Sequence, residues 1–223
     1  MEQQADALVA LMDTLGIEKA ALVAASAGGP PAYLTAIRHP DRVASLIAID
    51  CVSGFYDMPE KAGPITQALF LSDVGQKLLQ KLDQWKPQLT LQSLFQAEAL
   101  FTKEQTRRHI DHVLNDERSL QFVRAFMATI SPYRPRQAGT MNDMDQYRQY
   151  THLPVERIEC PTLIIHGTHD ADVKFYDGAY AYEHIARAER FWIEEGSHLG
   201  FWLSPNATAA QQAAADFLDR HHG

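Results

Sequence analysis

The stretch that most narrows the choice of fold is "KAALVAASAGGPPAYLTAIRHP", Lys19 to Pro40. After Lys19 its first residues are apolar on both faces, as expected of a strand in a parallel sheet covered by helices on each side. Pro30 and Pro31 suit the first turn of a helix, where missing N–H groups cost little, and that helix has to stop before His39-Pro40. The chain therefore passes from strand to helix in one short turn around Ser26. A turn that tight crowds the two backbones and favours small side chains, and Ala24 and Gly28 stand two residues before and after Ser26. Two readings of Ser26 follow: a nucleophile whose Oγ is lifted clear of the sheet, or a small residue where nothing larger fits.

Around this unit, helical and strand-like patterns alternate. Ala5, Leu8, Val9, Met12 and Leu15 recur at helical spacing with Gly16 after them, which predicts a helix from about Gln3 to Leu15. "VASLIAIDCV", "CPTLIIHG" and "ERFWIEEG" predict three further strands, with helices around "DGAYAYEHIARA" and from about Pro205 to Arg220. From about Ser53 to about Leu153 the apolar residues fall into long helical periods, broken at "SPYRPRQAG". Thr102 and Gln105 form a capping-box pattern ahead of "KEQTRRHIDHVLN", and Asn115 or Asp116 is placed to cap "SLQFVRAFMATI". The expected class is α/β, a mostly parallel sheet flanked by helices and joined by right-handed crossovers. The expected division is a first part of the core over 1–53, a helical insertion over 54–153 and a second part of the core over 154–223.

Charge and cysteine content narrow the partners. A net charge of −8 without a dense Lys/Arg block argues against nucleic acid and against anionic membrane surfaces. Two cysteines, Cys51 and Cys160, are too few for a disulfide framework and read as buried thiols in a reducing compartment. No run reaches the length of a membrane span, and "MEQQADALVALMDTLG" is acidic and amphipathic rather than signal-like. With Met1 as the start, a cytoplasmic protein acting on a small molecule is expected.

In a parallel sheet, ligands bind beyond the carboxyl ends of the strands. The first strand ends at Ser26, and the Ala27 N–H at the start of the following helix is placed to bind an oxyanion. The second ends at Asp50. The third runs into "HGTHDADV", where Asp170 either orients an imidazole or closes an Asx-turn, with Asp172 and Asp50 as alternatives for the acid. The fourth runs into "EEGSHLGFW", where His198 can swing over the sheet towards Ser26. Nucleophile, acid and base then fall in the order Ser26, Asp170, His198.

Other clusters carry less. His166, His169, Asp170 and Asp172 match no standard zinc spacing, so no metal is expected. His109, Asp111 and His112 sit on one predicted helix and read as a solvated face. Arg134 and Arg136 flank a proline in a polar loop, and Phe191, Trp192, Phe201 and Trp202 read as packing aromatics beside a strand.

Together, "AASAGG", "HGTHD" and "EEGSH" resemble the nucleophile elbow, acid loop and histidine loop of the α/β-hydrolase family, along nearly the whole chain. Ala24 stands where the elbow usually has its first glycine. The resemblance implies a helical cap in the 54–153 segment, no cofactor, and hydrolysis of a small ester, lactone or related acyl bond, although relatives with the same triad cleave carbon–carbon bonds or use peroxide. It also implies strands ahead of the elbow strand and a second oxyanion donor, whereas only one predicted helix precedes "KAALVAA" here. An N-terminally shortened hydrolase is therefore expected, with Leu22 and Val23 on an open edge covered by a swapped neighbour, another polypeptide or upstream residues. The competing expectation is a noncatalytic binding or assembly module.

Overall fold

A computed structural model of the chain describes residues 1–54, 56, 72–129 and 132–221. The part of the expected insertion that falls in 57–71 lies outside the described residues. Four parallel strands form one sheet in the order β1 (Ala20–Ala25), β2 (Val43–Ile49), β3 (Thr162–Gly167) and β4 (Ala188–Ile193).

Ahead of β1, helix α1 (Glu2–Thr14) buries Ala5, Val9 and Met12 along one stripe. It ends where Gly16 takes a φ of 68°, which lets the Ile17 N–H reach back to the Met12 carbonyl at 2.9 Å. Between β1 and β2 runs α2 (Gly29–Arg38), entered through a single 3-10 turn, Ser26–Gly28, with Pro30 and Pro31 in its first turn. Five helices are described between β2 and β3: α3 (Asp73–Trp85), α4 (Pro87–Glu98), α5 (Lys103–Asn115), α6 (Glu117–Thr129) and α7 (Gln137–Tyr147). Thr102 and Gln105 complete a reciprocal capping box on α5. Of the two candidates to cap α6 it is Asp116, whose Oδ2 accepts from the Ser119 N–H at 3.0 Å; the Asn115 amide instead donates to the Asp111 carbonyl. After β3 comes α8 (Phe175–His184), which stops short of the predicted Ala188. Ile185 leaves the helix with its side chain buried, and the chain turns directly into β4. The short α9 (Gly200–Leu203) and the long α10 (Ala207–His221) close the chain.

Period-two alternation explains why both faces of the sheet are apolar. Leu46, Ala48 and Ile164 pack with α2 and α8, whereas Ile47, Ile49, Leu163, Ile165 and Ile193 pack under Ala210, Ala214 and Phe217 of α10. Among the described residues β1 is an edge strand, and the two apolar side chains that the sequence put on that open edge differ in exposure. Leu22 is partly buried against the first cluster, while Val23 points to the α10 face and is 58% exposed. Helix α10 lies chiefly over β2, β3 and β4, so the bareness of Val23 comes from an uncovered face as well as from an unpaired edge.

The chain leaves and re-enters the sheet layer at neighbouring points. Gly54 and His152 form an antiparallel bridge, and the Leu153 N–H donates to the Ser53 carbonyl at 2.9 Å. A second bridge joins Ala99, at the end of α4, to Asp170 beyond β3. The helical segment is thereby tied to the strand-end loops that hold the candidate chemistry.

Candidate active site

Ser26 adopts a φ of 52°, a left-handed conformation that costs a non-glycine residue energy and that a tight turn imposes. The small residue that this turn demands is not the one expected. A Cβ added at Gly28 would meet the Ala24 Cβ at an ordinary 3.8 Å, whereas one at Gly29 would lie 2.5 Å from the Cys51 Cβ and 3.0 Å from the Val52 carbonyl oxygen. Crowding is therefore set by the end of β2 pressing on the first residue of α2. The Tyr147 hydroxyl, from α7, donates to the Ala27 carbonyl at 3.0 Å and secures the turn from above.

Beyond β3 and β4 the two loops touch through their backbones. A Cβ on Gly167 would lie 2.5 Å from the Gly196 carbonyl oxygen, and the His169 N–H donates to that same oxygen at 2.8 Å. This contact sets the spacing between acid and imidazole. The Asp170 Oδ2 accepts from His198 Nδ1 at 2.8 Å, and His198 Nε2 lies 2.9 Å from Ser26 Oγ. Asp170 also closes a turn, its Oδ1 accepting from the N–H groups of Asp172 and Val173 at 2.8 and 2.9 Å. One oxygen of Asp170 thus meets the imidazole and the other closes the turn.

The other two aspartates are placed differently. Asp50, itself at a φ of 48°, uses Oδ1 to accept from the Gly167 N–H at 2.8 Å, and burial followed by the Asp170 charge holds its carboxyl well above the usual range. Asp172 faces the far side of the imidazole. Its Oδ2 lies 3.4 Å from His198 Nε2, and its Oδ1 accepts from the Tyr56 hydroxyl at 2.6 Å. Burial alone would lower the affinity of His198 for its second proton; the hydrogen bond to Asp170 and the charges of Asp170, Asp172 and Asp50 outweigh it and raise that affinity.

Glu98 was not legible in the sequence. It is the last residue of α4, where periodicity marks only a helix, yet its backbone carbonyl accepts from the N–H groups of Ala171 and His198 at 3.3 and 2.9 Å. Burial lifts its carboxyl to about 7, with His198 pulling it down and Asp172 and Asp170 pushing it further up. Tyr56 and Tyr147, with rings 5.4 Å apart, were equally invisible, because nothing in their local pattern distinguishes them from packing residues.

Among the described residues, two groups bring potential metal-ligand atoms within 4.8 Å of one another: Asp50 with His166 and Asp170, and Glu98 with Asp172 and His198. In the first, His166 Nε2 already donates to the Val173 carbonyl at 3.0 Å. His169 belongs to neither group. The expected solvated face on α5 needs correcting at His109, which is buried and stacked on Phe101 with ring centroids 4.2 Å apart, so that burial lowers its pKa to about 4. Arg134 and Arg136 are exposed. Trp192 packs edge-on against Phe175 and Tyr182, and Trp202 stacks on Phe122. Cys51 and Cys160 are buried thiols, and burial pushes both up. A surface groove between α5 and α10, lined by residues such as Arg108, His112 and Gln211, includes none of Ser26, Asp170 and His198.

The model of the alpha/beta hydrolase fold matches residues 1–205. The chain belongs to the α/β-hydrolase fold family. Among solved structures it is similar to an alpha/beta hydrolase fold protein from Nakamurella multipartita, at a TM-score of 0.92 and 32% identity, covering 100% of this chain and 76% of that one. An uncharacterized hydrolase, YcgS, of Bacillus subtilis is 26% identical over 215 residues, 95% of this chain and 72% of that protein. A 2-hydroxy-6-oxononadienedioate/2-hydroxy-6-oxononatrienedioate hydrolase of Paraburkholderia phymatum is 26% identical over 216 residues, 95% of this chain and 66% of that protein. Among the described residues of this α/β-hydrolase, no helix is long and apolar enough to cross a membrane.

Proposed function

We propose that this α/β-hydrolase is a serine hydrolase of small ester, lactone or related acyl substrates. The observation that carries the reading is the 2.9 Å approach of Ser26 Oγ to His198 Nε2 at a strained turn, with Asp170 on the opposite nitrogen at 2.8 Å. The Asp170 carboxylate holds the Nδ1 proton, which leaves Nε2 of the neutral ring free to accept. Ser26 Oγ attacks the acyl carbon as its proton passes to Nε2. The oxygen of the tetrahedral intermediate gathers negative charge beside the Ala27 N–H, at the start of the helical segment, where amides have no acceptor of their own. The imidazolium then returns its proton to the leaving oxygen, and the acyl–serine bond remains. Water, deprotonated by His198, reverses these steps and releases the acid. Asp170 stabilises the imidazolium in both halves.

A fluorophosphonate probe tests this directly. Labelling mapped to Ser26, together with turnover of p-nitrophenyl butyrate, is expected in the wild type and lost in Ser26→Ala. Wild-type labelling no greater than that of Ser26→Ala contradicts the proposal.

A further inference from the structure

Asp50 is buried at the end of β2 and takes no part in the steps above. The residues that follow it bear on the turn that carries Ser26. A Cβ at Gly29 would lie 2.5 Å from the Cys51 Cβ, and the Val52 N–H reaches the Ser26 carbonyl at 3.5 Å. Asp50 itself bears on the acid loop. Its N–H donates to the Ile165 carbonyl at 2.9 Å, and its Oδ1 accepts from the Gly167 N–H at 2.8 Å. Gly167 is in turn pressed against the histidine loop, where a Cβ on it would lie 2.5 Å from the Gly196 carbonyl oxygen and 2.6 Å from that of Ser197. The Asp170 N–H donates to the Gly167 carbonyl at 3.2 Å. One buried side chain thus joins the nucleophile's turn to the loops of acid and base. Its Oδ2 has no hydrogen-bond partner among the described residues, and His198 Nδ1 is already taken by Asp170. The φ of 48° at Asp50 is a conformation that aspartate and asparagine tolerate better than other side chains and that persists only where the surroundings hold it.

We propose that Asp50 is a positioning residue: by accepting from the Gly167 N–H it holds the acid and histidine loops at the distance from the Ser26 turn at which Oγ meets Nε2. This role rests on the serine-hydrolase reading above and adds to it a residue that touches neither substrate nor reacting atoms. Oδ1 accepts whether or not the carboxyl is protonated, so the role belongs to the acceptor and not to the charge. Without that acceptor the buried Gly167 N–H is left unpaired, and the end of β3 is free to shift against the end of β2 with Gly196 and His198 following it. A displacement of about 1 Å between reacting groups is enough to cost about 10²-fold in rate. Substrate binding, which does not depend on the Oγ to Nε2 approach, is spared.

Three substitutions separate the acceptor from the charge and from the backbone. Asp50→Asn keeps a carbonyl acceptor and suits the left-handed conformation, Asp50→Ala removes the acceptor, and Asp50→Gly removes it while relieving the backbone. Turnover of p-nitrophenyl butyrate is expressed per site labelled to completion by the fluorophosphonate, so that molecules that fail to fold drop out of the comparison. Asp50→Ala and Asp50→Gly should each lose about 10- to 10²-fold in kcat with little change in KM, and label more slowly in the same proportion. Asp50→Asn should recover kcat to within about threefold of the wild type. Wild-type turnover per labelled site in Asp50→Ala and Asp50→Gly overturns the proposal, because Asp50 then only stabilises the fold. A loss in Asp50→Ala that Asp50→Gly does not share assigns the defect to backbone strain and overturns it as well. Asp50→Asn as impaired as the other two shows that the carboxyl itself is needed, which also overturns it. All three outcomes leave Ser26 labelled in the wild type and the serine-hydrolase reading intact. Absence of labelling and of all turnover in the wild type overturns that reading, and the role of Asp50 with it.

Discussion

Asp172 Oδ2 lies 3.4 Å from His198 Nε2, the same nitrogen that approaches Ser26 Oγ at 2.9 Å. A carboxylate at that distance favours the protonated ring, so Asp172 raises the pH at which His198 loses its second proton, and with it the pH at which the proposed base can act. The ascending limb of kcat/KM against pH is expected above the ordinary histidine range. In Asp172→Asn it should move to lower pH. A pH–rate profile on a neutral ester measures this, and a limb that does not move contradicts the electrostatic role.

Asp170 divides its oxygens between His198 and its own loop, so two substitutions should separate the proposed chemistry from the loop structure. In Asp170→Asn, the side-chain carbonyl can still accept from Asp172 and Val173, but the amide then presents a donor to His198 Nδ1 and favours the wrong tautomer. Turnover should fall by about 10⁴-fold with little change in Tm. Asp170→Ala removes the turn as well and should cost a further ~1–3 kcal/mol for each buried N–H left unpaired. Paired ester kinetics and thermal melts decide between these outcomes.

The two glycines after Ser26 should respond oppositely to alanine. Gly28→Ala meets only an ordinary contact with Ala24 and should leave stability within ~0.5 kcal/mol. Gly29→Ala drives a Cβ into the Cys51 Cβ and the Val52 carbonyl and should cost about 1–3 kcal/mol. Urea denaturation of both variants gives the comparison directly.

Asp177 ties α8 to the chain leaving β2. Its Oδ1 accepts from the N–H groups of Ser53 and Gly54 at 2.9 and 2.8 Å, and burial lifts its carboxyl to about 6. The folded state therefore holds a proton that the unfolded chain releases between about pH 4 and 6. The contribution of this group to stability falls as pH rises through that window. Asp177→Asn keeps the acceptor and should flatten this part of the stability–pH curve. Asp177→Ala strands two buried donors and should lose ~2–4 kcal/mol at every pH. Denaturant titrations across pH 4 to 7 test both expectations.

The alternation of strand and helix was legible because each element advertises itself locally. Apolar runs such as "TLIIHG" and the i, i+4, i+7 spacing of Ala5, Val9 and Met12 involve neighbours a few residues apart. The turn at Ser26 was legible only in part: Pro30 and Pro31 mark the helix start locally, whereas the crowding at Gly29 comes from Cys51 and Val52 at the end of β2. Where competition was non-local, the pattern misled. His109 has the spacing of a solvated face, but Phe101 and the packing of α4 against α5 bury it. The sequence puts Leu22 and Val23 alike on an open edge, and which of the two stays bare depends on where a helix almost two hundred residues later comes to rest.

By itself, the sequence determined that a serine, an aspartate and a histidine stand at the carboxyl ends of strands in a parallel sheet. Strand polarity and loop chemistry are short-range properties of the chain. Which aspartate reaches Nδ1, that Asp172 turns to Nε2, and that Glu98 arrives beside them from the helical segment were decided by tertiary structure alone. Those placements depend on strand register and on backbone contacts such as Gly167 with Gly196 and Glu98 with His198. Such contacts join segments tens of residues apart and differ between alternatives by only a few ångströms, a distance that no local pattern of residue types encodes.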